Sequence, residues 1–408
     1  DFCLSRGLGD VYKRQIMYNG PPVLEQAAAG GNPAVPFSRS AEQWIELHNR
    51  ETLPVAIGGW AMDGGVRYQF PAGTVIPAGG YLVLARDPAA LAVKFPGLVA
   101  LGPFEGSLSG SGEELVLRDA VGNPADEVHY YDDGAWPEAA DAGGSSLELR
   151  DPRSDNNAGG SWAASDERSR TGWKTYSYTG VAAASQVGPD TQWREFVLGL
   201  MDKGEVLLDD ISVVESPAGT PVEMLQNGSF GTDAARWRIM GNHSGTVVDD
   251  PDQVGNKVLR LVSSGSTDHM SNHAETTFGA SRSVVNGRTY RISYRAKWIS
   301  GCRQLNTRLY FNRLARTTVL DGPGLQLGTP GSVNSRRVAN AGPAFAGLRH
   351  EPAVPAAFGT VAVTVRAGDP DGVGPVVLWS RVDGGAWVSQ AMDPVDGDAG
   401  NYRAVLAG

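Results

Sequence analysis

The sequence predicts an all-β chain built of tandem β-sandwiches, and three observations carry that expectation. The 408 residues include 53 glycines and 25 prolines, spread so that turn-forming clusters recur throughout. Between them lie short segments in which apolar and polar residues alternate, the period of a half-buried strand. Only Pro88 to Lys94 has the pattern of a helix, and no apolar run approaches the length that spans a bilayer. The length suits two to four domains. A net charge of −10 and short Lys/Arg clusters predict no nucleic-acid footprint.

The first residues stand apart. Asp10-Val11-Tyr12-Lys13-Arg14-Gln15 is what the end of a transposon-type sequencing adapter encodes, and Cys3 to Gly9 read as more of the same. Residues 1–15 are therefore expected to be an adapter artefact that packs against nothing. Setting them aside leaves Cys302 as the single cysteine. That excludes an intrachain disulfide and a cysteine zinc site, and says nothing for or against export.

From residue 16 the strands follow in order. Trp44-Ile45-Glu46-Leu47-His48-Asn49 alternates, Tyr68-Gln69-Phe70 follows Gly59-Trp60, and Pro77-Ala78-Gly79-Gly80 turns into Tyr81-Leu82-Val83-Leu84-Ala85. Ser109-Gly110-Ser111-Gly112-Glu113-Glu114-Leu115-Val116-Leu117-Arg118-Asp119 reads as the start of a hairpin, and Ser146 to Pro152 as a late strand. These motifs resemble the lamin-tail domain, an immunoglobulin-like sandwich of bacterial secreted proteins, over residues 16–165. The resemblance implies an accessory module without a catalytic constellation, exported to the cell envelope or beyond. In chains of that architecture it also implies a downstream spore-coat H-type kinase-like domain, none of whose residues are here. Arginine outnumbers lysine, as in high-GC genomes.

Residues 166–170 read as a linker. Trp173 to Tyr178, Trp193 to Leu200 and Glu205 to Val214 then resemble the closing strands of jelly-roll carbohydrate-binding modules, which end in "L-D-D-I-S-V". The opening strands come afterwards: Asn227-Gly228-Ser229-Phe230 with Trp237, then Gly287 to Lys297, then Leu305 to Asn312. Two broken modules would account for this order. One circularly permuted jelly roll over 171–330 accounts for it better, because half a sandwich leaves unpaired edges and half a core. On that reading Leu207–Val213 lies beside the strand around Gln226–Phe230. Gly328-Thr329-Pro330-Gly331 and Ser332 to Arg337 have linker composition, and residues 331–345 are assigned as linker. Residues 346–408, with Val361 to Val365, Val376 to Val382 and Tyr402 to Leu406, resemble a truncated immunoglobulin or fibronectin type III module, shorter than the roughly 100 residues of a full one.

Candidate sites concentrate in the middle module. Asn242-His243 and Asp268 to Glu275 bring together His243, His269 and His273. The four-residue spacing of His269 and His273 would share a helix face, but the flanks read as loop and strand, so a polar ligand groove competes with a metal site there. Sugar grooves combine an aromatic platform with polar fixers. Trp298 is the tryptophan expected to be exposed and Asn312 a fixer, whereas Trp237 and Tyr290 read as core. Asp209 and Asp210 lie where the resemblance implies a structural calcium, the one cofactor expected, and only one of two adjacent strand residues can serve it. Asp369-Pro370-Asp371-Gly372 reads as a plain turn. The function expected is non-catalytic binding of polysaccharide or envelope material, with spacing of further domains. The alternatives are a metal-dependent hydrolase using His243, His269 and His273, and a spacer without a ligand.

Overall fold

The computed structural model describes residues 11–20, 23–24, 37–38, 41–184, 194–267, 269–322, 326–382 and 384–407. The chain is all-β, in several separate sheets. The expected helix forms at Pro88–Lys94, where Asp87 caps its N-terminus by accepting the Ala90 N–H. Among the described residues no helix is long and apolar enough to cross a membrane.

The first sandwich sets six strands against five. The six run Ala100–Leu101, Tyr81–Ala85, Trp44–Asn49, Val11–Met17, Leu147–Leu149 and Trp162–Ala164, in that spatial order. The facing sheet runs Glu105–Gly106, Val66–Gln69, Ala61–Gly64, Glu113–Arg118 and Pro124–Tyr130. Strand parity turns Ile45, Leu47, Leu115, Leu117, Val128 and Leu147 inward, where they form one core with Trp60 and Trp162.

Residues 11–15 overturn the expectation that residues 1–15 pack against nothing. Val11–Met17 pairs with Trp44–Asn49 on one side and Leu147–Leu149 on the other, and all seven of its residues are buried. The physical reason is positional. Without a strand there, two neighbours would face each other across a row of unpaired buried N–H and C=O groups. The charges are accommodated by pairing: Lys13 Nζ lies 2.6 Å from Asp126, and Arg14 bridges to Glu46.

The second sandwich sets five antiparallel strands against five. One sheet runs Lys174–Val181, Thr289–Gly301, Gly204–Glu215, Lys257–Ser263 and His243–Asp249, with Val222–Glu223 added beside Gly204–Glu215. The other runs Trp237–Met240, His273–Thr277, Glu195–Leu200, Gln304–Leu309 and Leu314–Val319. Phe196, Leu198, Val206, Leu208, Tyr290, Ile292 and Leu305 belong to one core between them. Residues 224–228 lie along Gly204–Glu215: the Met224 N–H donates to Val213 O at 2.8 Å and the Ile211 N–H to Gly228 O at 3.0 Å. Only glycine fits at 228, since a Cβ there would come within 1.9 Å of Ile211 O.

The third body has a four-stranded sheet of Ala344–Glu351, Val361–Gly368, Asn401–Leu406 and Asp393–Pro394, with a hairpin of Val377–Ser380 and Val388–Ala391. Its small core comprises Val363, Val365, Ala367, Val376, Met392 and Ala404.

Candidate functional site

The histidine cluster comes together only in part. His243 opens its strand with Nε2 accepting the Leu200 N–H at 3.1 Å and Nδ1 2.8 Å from Asn242 Oδ1. The proton therefore sits on Nδ1, and both ring nitrogens are engaged. Asn242 donates its amide to Gly265 O and Ser266 O. His273 is buried with Nε2 3.2 Å from Glu275, whose carboxylate also receives Arg238 at 2.7 Å. His269 is exposed on a turn, where its Nδ1 accepts the Ser271 N–H. Asn312 lies in the short turn Tyr310–Asn312 and is also exposed. Among the described residues no group of three or more His, Cys, Asp or Glu side chains is arranged to hold a metal. The hydrolase reading thus finds no support in the structure: His243 and His269 accept backbone N–H groups, and His273 meets Glu275.

Burial, with His273 beside it, pushes His243 down to about 4 from 6.5. The unfolded chain takes up this proton near pH 6.5 and the folded one refuses it. His243's share of stability is therefore whole above about 6.5 and lost as pH falls toward 4. Glu46, pushed by burial up to about 7, runs the opposite way: its share is whole below 4.5 and lost as pH rises through 7. We expect His243→Gln to flatten the acid limb of a stability-versus-pH curve by about 1–3 kcal/mol, read by urea melts from pH 7 to 4. An unchanged acid limb would mean that His243 titrates normally in the fold.

Trp298 is not an exposed platform. It is 2% exposed and belongs to the core between the sheets. Thr289–Gly301 runs on unbroken past Ala296, so inward parity continues from Tyr290 through Ile292, Tyr294 and Ala296 to Trp298. Its indole N–H donates to Gly301 O at 3.0 Å, and its ring abuts Gly144 of the first sandwich. Calcium at Asp209 and Asp210 does not fit either. Asp209 is buried, accepting from Asn256 at 2.9 Å and from the Asp210 N–H at 2.8 Å. Arg295 lies 3.1 Å from Asp209 and 3.6 Å from the exposed Asp210 carboxylate, so the protein's own cation already lies against both.

The structure brings out a different site. On the outer face of the second sandwich, Leu207, Val258 and Ile299 form an apolar patch with Trp173 and Val248 packed against it. Part of this face floors a cleft of about 680 Å³. Asp166, Arg168 and Ser169 from the exit of the first sandwich wall one side, and the loop carrying Pro251 and Asp252 walls the other. The rim charges are paired: Arg260 grips Glu205 through two bonds of 2.7 and 2.9 Å, Lys297 meets Asp252 at 2.7 Å, and Arg168 meets Asp166 at 2.6 Å. An apolar floor ringed by mutually neutralised hydrogen-bonding groups suits a hydroxylated, uncharged ligand. Sequence reasoning passed over these residues. The signal was the unbroken apolar run Val206-Leu207-Leu208, which marks a strand covered on both faces.

The six-against-five sandwich that supplies the near wall, with its central Val11–Met17 strand, agrees with comparison to known families. Residues 9–132 match the family model of the lamin tail domain. No curated protein matches the chain. The match takes in residues 11–15, in keeping with their place in the sheet.

The outer face of the lamin-tail sheet is occupied as well. The segment read as linker returns across it, with Leu327 buried among Met17, Trp44, Val83 and Leu91. Beyond Leu327 this strap supplies donors to three buried glutamates of the lamin-tail sandwich and its exit. The Gly328 N–H meets Glu167 at 2.9 Å, and the Gly331 N–H meets Glu46. Glu148 receives the Thr329 hydroxyl at 2.6 Å, the Ser335 hydroxyl at 2.8 Å and the Arg336 N–H at 2.9 Å. Buried carboxylates need such partners, because each unpaired one would cost several kcal/mol. At the exit, Arg170 donates to Gln326 O at 2.6 Å and to Gly328 O at 2.8 Å, so both ends of the second sandwich meet on the lamin-tail domain.

Proposed function

We propose that this chain is a non-catalytic binding and spacing unit of an exported bacterial protein, contacting polysaccharide or other envelope material. The observation that supports this most is the cleft on the second sandwich, with its apolar floor and charge-paired rim. Neutral hydroxyls exchange hydrogen bonds with such a rim without leaving a buried charge unpaired. We read the second sandwich as a circularly permuted jelly roll of carbohydrate-binding type, supported by the seating of residues 224–228 along Gly204–Glu215.

The test is a neutral-glycan array on the full chain, followed by calorimetric titration of any hit. Arg260→Ala and Asp252→Ala should each weaken binding about 10-fold or more, the worth of one or two charge-assisted hydrogen bonds. Both residues sit on the rim, so melting temperatures should stay close to the parent's. Binding that survives both substitutions places the ligand elsewhere. No binding by the parent chain to any glycan leaves spacing as the function.

A further inference from the structure

The hairpin of the third body carries Trp379 and Trp387, 59% and 57% exposed, whereas Trp44, Trp60, Trp136, Trp162, Trp237 and Trp298 are all buried. Trp379 pairs with Ser389, and Ser380 with Val388. One step further along that register Arg381 faces Trp387, and the Arg381 guanidinium does lie 4.8 Å from the Trp387 ring centre. Parity puts Trp379, Arg381, Trp387 and Ser389 on one face, while Leu378 turns in against the core of the body. The two tryptophans are diagonal neighbours on this face, a separation that aromatic side chains bridge. Ser389, the residue between them, is too small to cover either ring.

Charge selects the ligand. Every cation on the rim of the cleft is paired, but among the described residues Arg381 has no carboxylate partner. It sits on a chain of net charge −10, so a general attraction for anions is absent and any anion held here is held locally. A guanidinium held over an indole face by cation–π attraction still has N–H donors to offer a carboxylate. We propose that Trp379, Arg381 and Trp387 form a second saccharide contact, taking an acidic polysaccharide rich in uronic acid. The apolar face of one pyranose ring stacks on Trp379, and the carboxylate of the ring or its neighbour meets Arg381. This site is independent of the neutral-ligand cleft on the second sandwich.

Affinity electrophoresis and calorimetry of the full chain, with polygalacturonate against dextran as the neutral control, test the proposal. The parent should bind polygalacturonate, and more weakly as salt rises. Trp379→Ala and Arg381→Gln should each weaken binding at least 10-fold, and Trp379→Tyr should restore much of it. Arg260→Ala in the cleft should leave it unchanged, which separates this site from the other. Failure of the parent to bind polygalacturonate overturns the proposal, and so does equal binding by Trp379→Ala. A concentration-dependent dimer abolished by Trp379→Ala would also overturn it, by assigning the face to a second copy of the chain.

Discussion

Deleting residues 171–325 and joining Arg170 to Gln326 through two or three glycines should leave a cooperatively folding lamin-tail sandwich. Ending the chain at Ser165 should not. The splice is feasible because Arg170 already touches Gln326 and Gly328 through its guanidinium, and short flexible connections close such gaps at little entropic cost. The strap it retains supplies Leu327 to the cluster around Trp44 and five donors to Glu46, Glu148 and Glu167. Ending at Ser165 uncovers that cluster and leaves Glu46 and Glu148 without those donors. Losing the Leu327 contacts alone should cost about 2–5 kcal/mol, on the scale of a buried leucine truncated to alanine, and a domain's whole stability is only about 5–15 kcal/mol. Urea melts of the two shortened chains decide the matter. Equal midpoints would show that the strap rests on the sheet without holding it.

This result bears on what could be read before the fold was known. Trp44-Ile45-Glu46-Leu47-His48-Asn49 reads as a strand whose alternating apolar residues are Trp44 and Leu47. It is a strand, but parity puts Ile45 and Leu47 in the core and Trp44 on the opposite face beside Leu327. That face carries a large apolar residue because a strap from far along the chain lies over it, and periodicity reports only on the strand itself. The strap's glycines and serines have the composition of a linker and serve to bring backbone N–H groups close to carboxylates. The segment read as an adapter artefact misleads in another way. Val11–Gln15 fill a strand position whose backbone pairing any chain can supply, so origin and packing are separate questions. In the middle sandwich the strands and their apolar content were legible from Gly287 to Lys297 and from Glu205 to Val214. The candidate site was not, because the cleft is walled by Asp166 and Arg168 of the exit turn, Ser335 of the strap and Asp252 of a loop, three segments far apart in sequence. His243 was singled out for metal chemistry, but its nitrogens serve Leu200 and Asn242. A buried histidine with both nitrogens engaged leaves the same trace in sequence as a ligand does.

Trp298 gives the second large effect, in stability and not in recognition. We expect Trp298→Ala to destabilise the second sandwich by about 3–5 kcal/mol, the cost of removing a buried aromatic ring and leaving a cavity. Val206 faces it in register across the sheet, and strand pairing fixes both backbones, so the space cannot collapse. The loss extends beyond one core. The ring edge abuts Gly144 of the lamin-tail sandwich, where a Cβ would come within 2.9 Å of Cη2, and the adjacent Gly301 N–H donates to Gly143 O at 2.9 Å. Trp298→Ala should therefore loosen the junction along with the core, whereas Trp298→Phe should keep more of the packing and lose only the indole bond to Gly301. Gly144→Ala attacks the same contact from the other side, and its positive φ of 88° adds backbone strain to the clash. Urea melts rank the three variants. A double mutant of Gly144 and Trp298 whose effects fall short of additive would establish that the two residues act through one contact. Glycan titration of folded Trp298→Ala separates structure from recognition: the side chain points away from the outer-face cleft, so affinity there should survive in whatever fraction still folds. A stable Trp298→Ala that had lost glycan binding would return the residue to the ligand site.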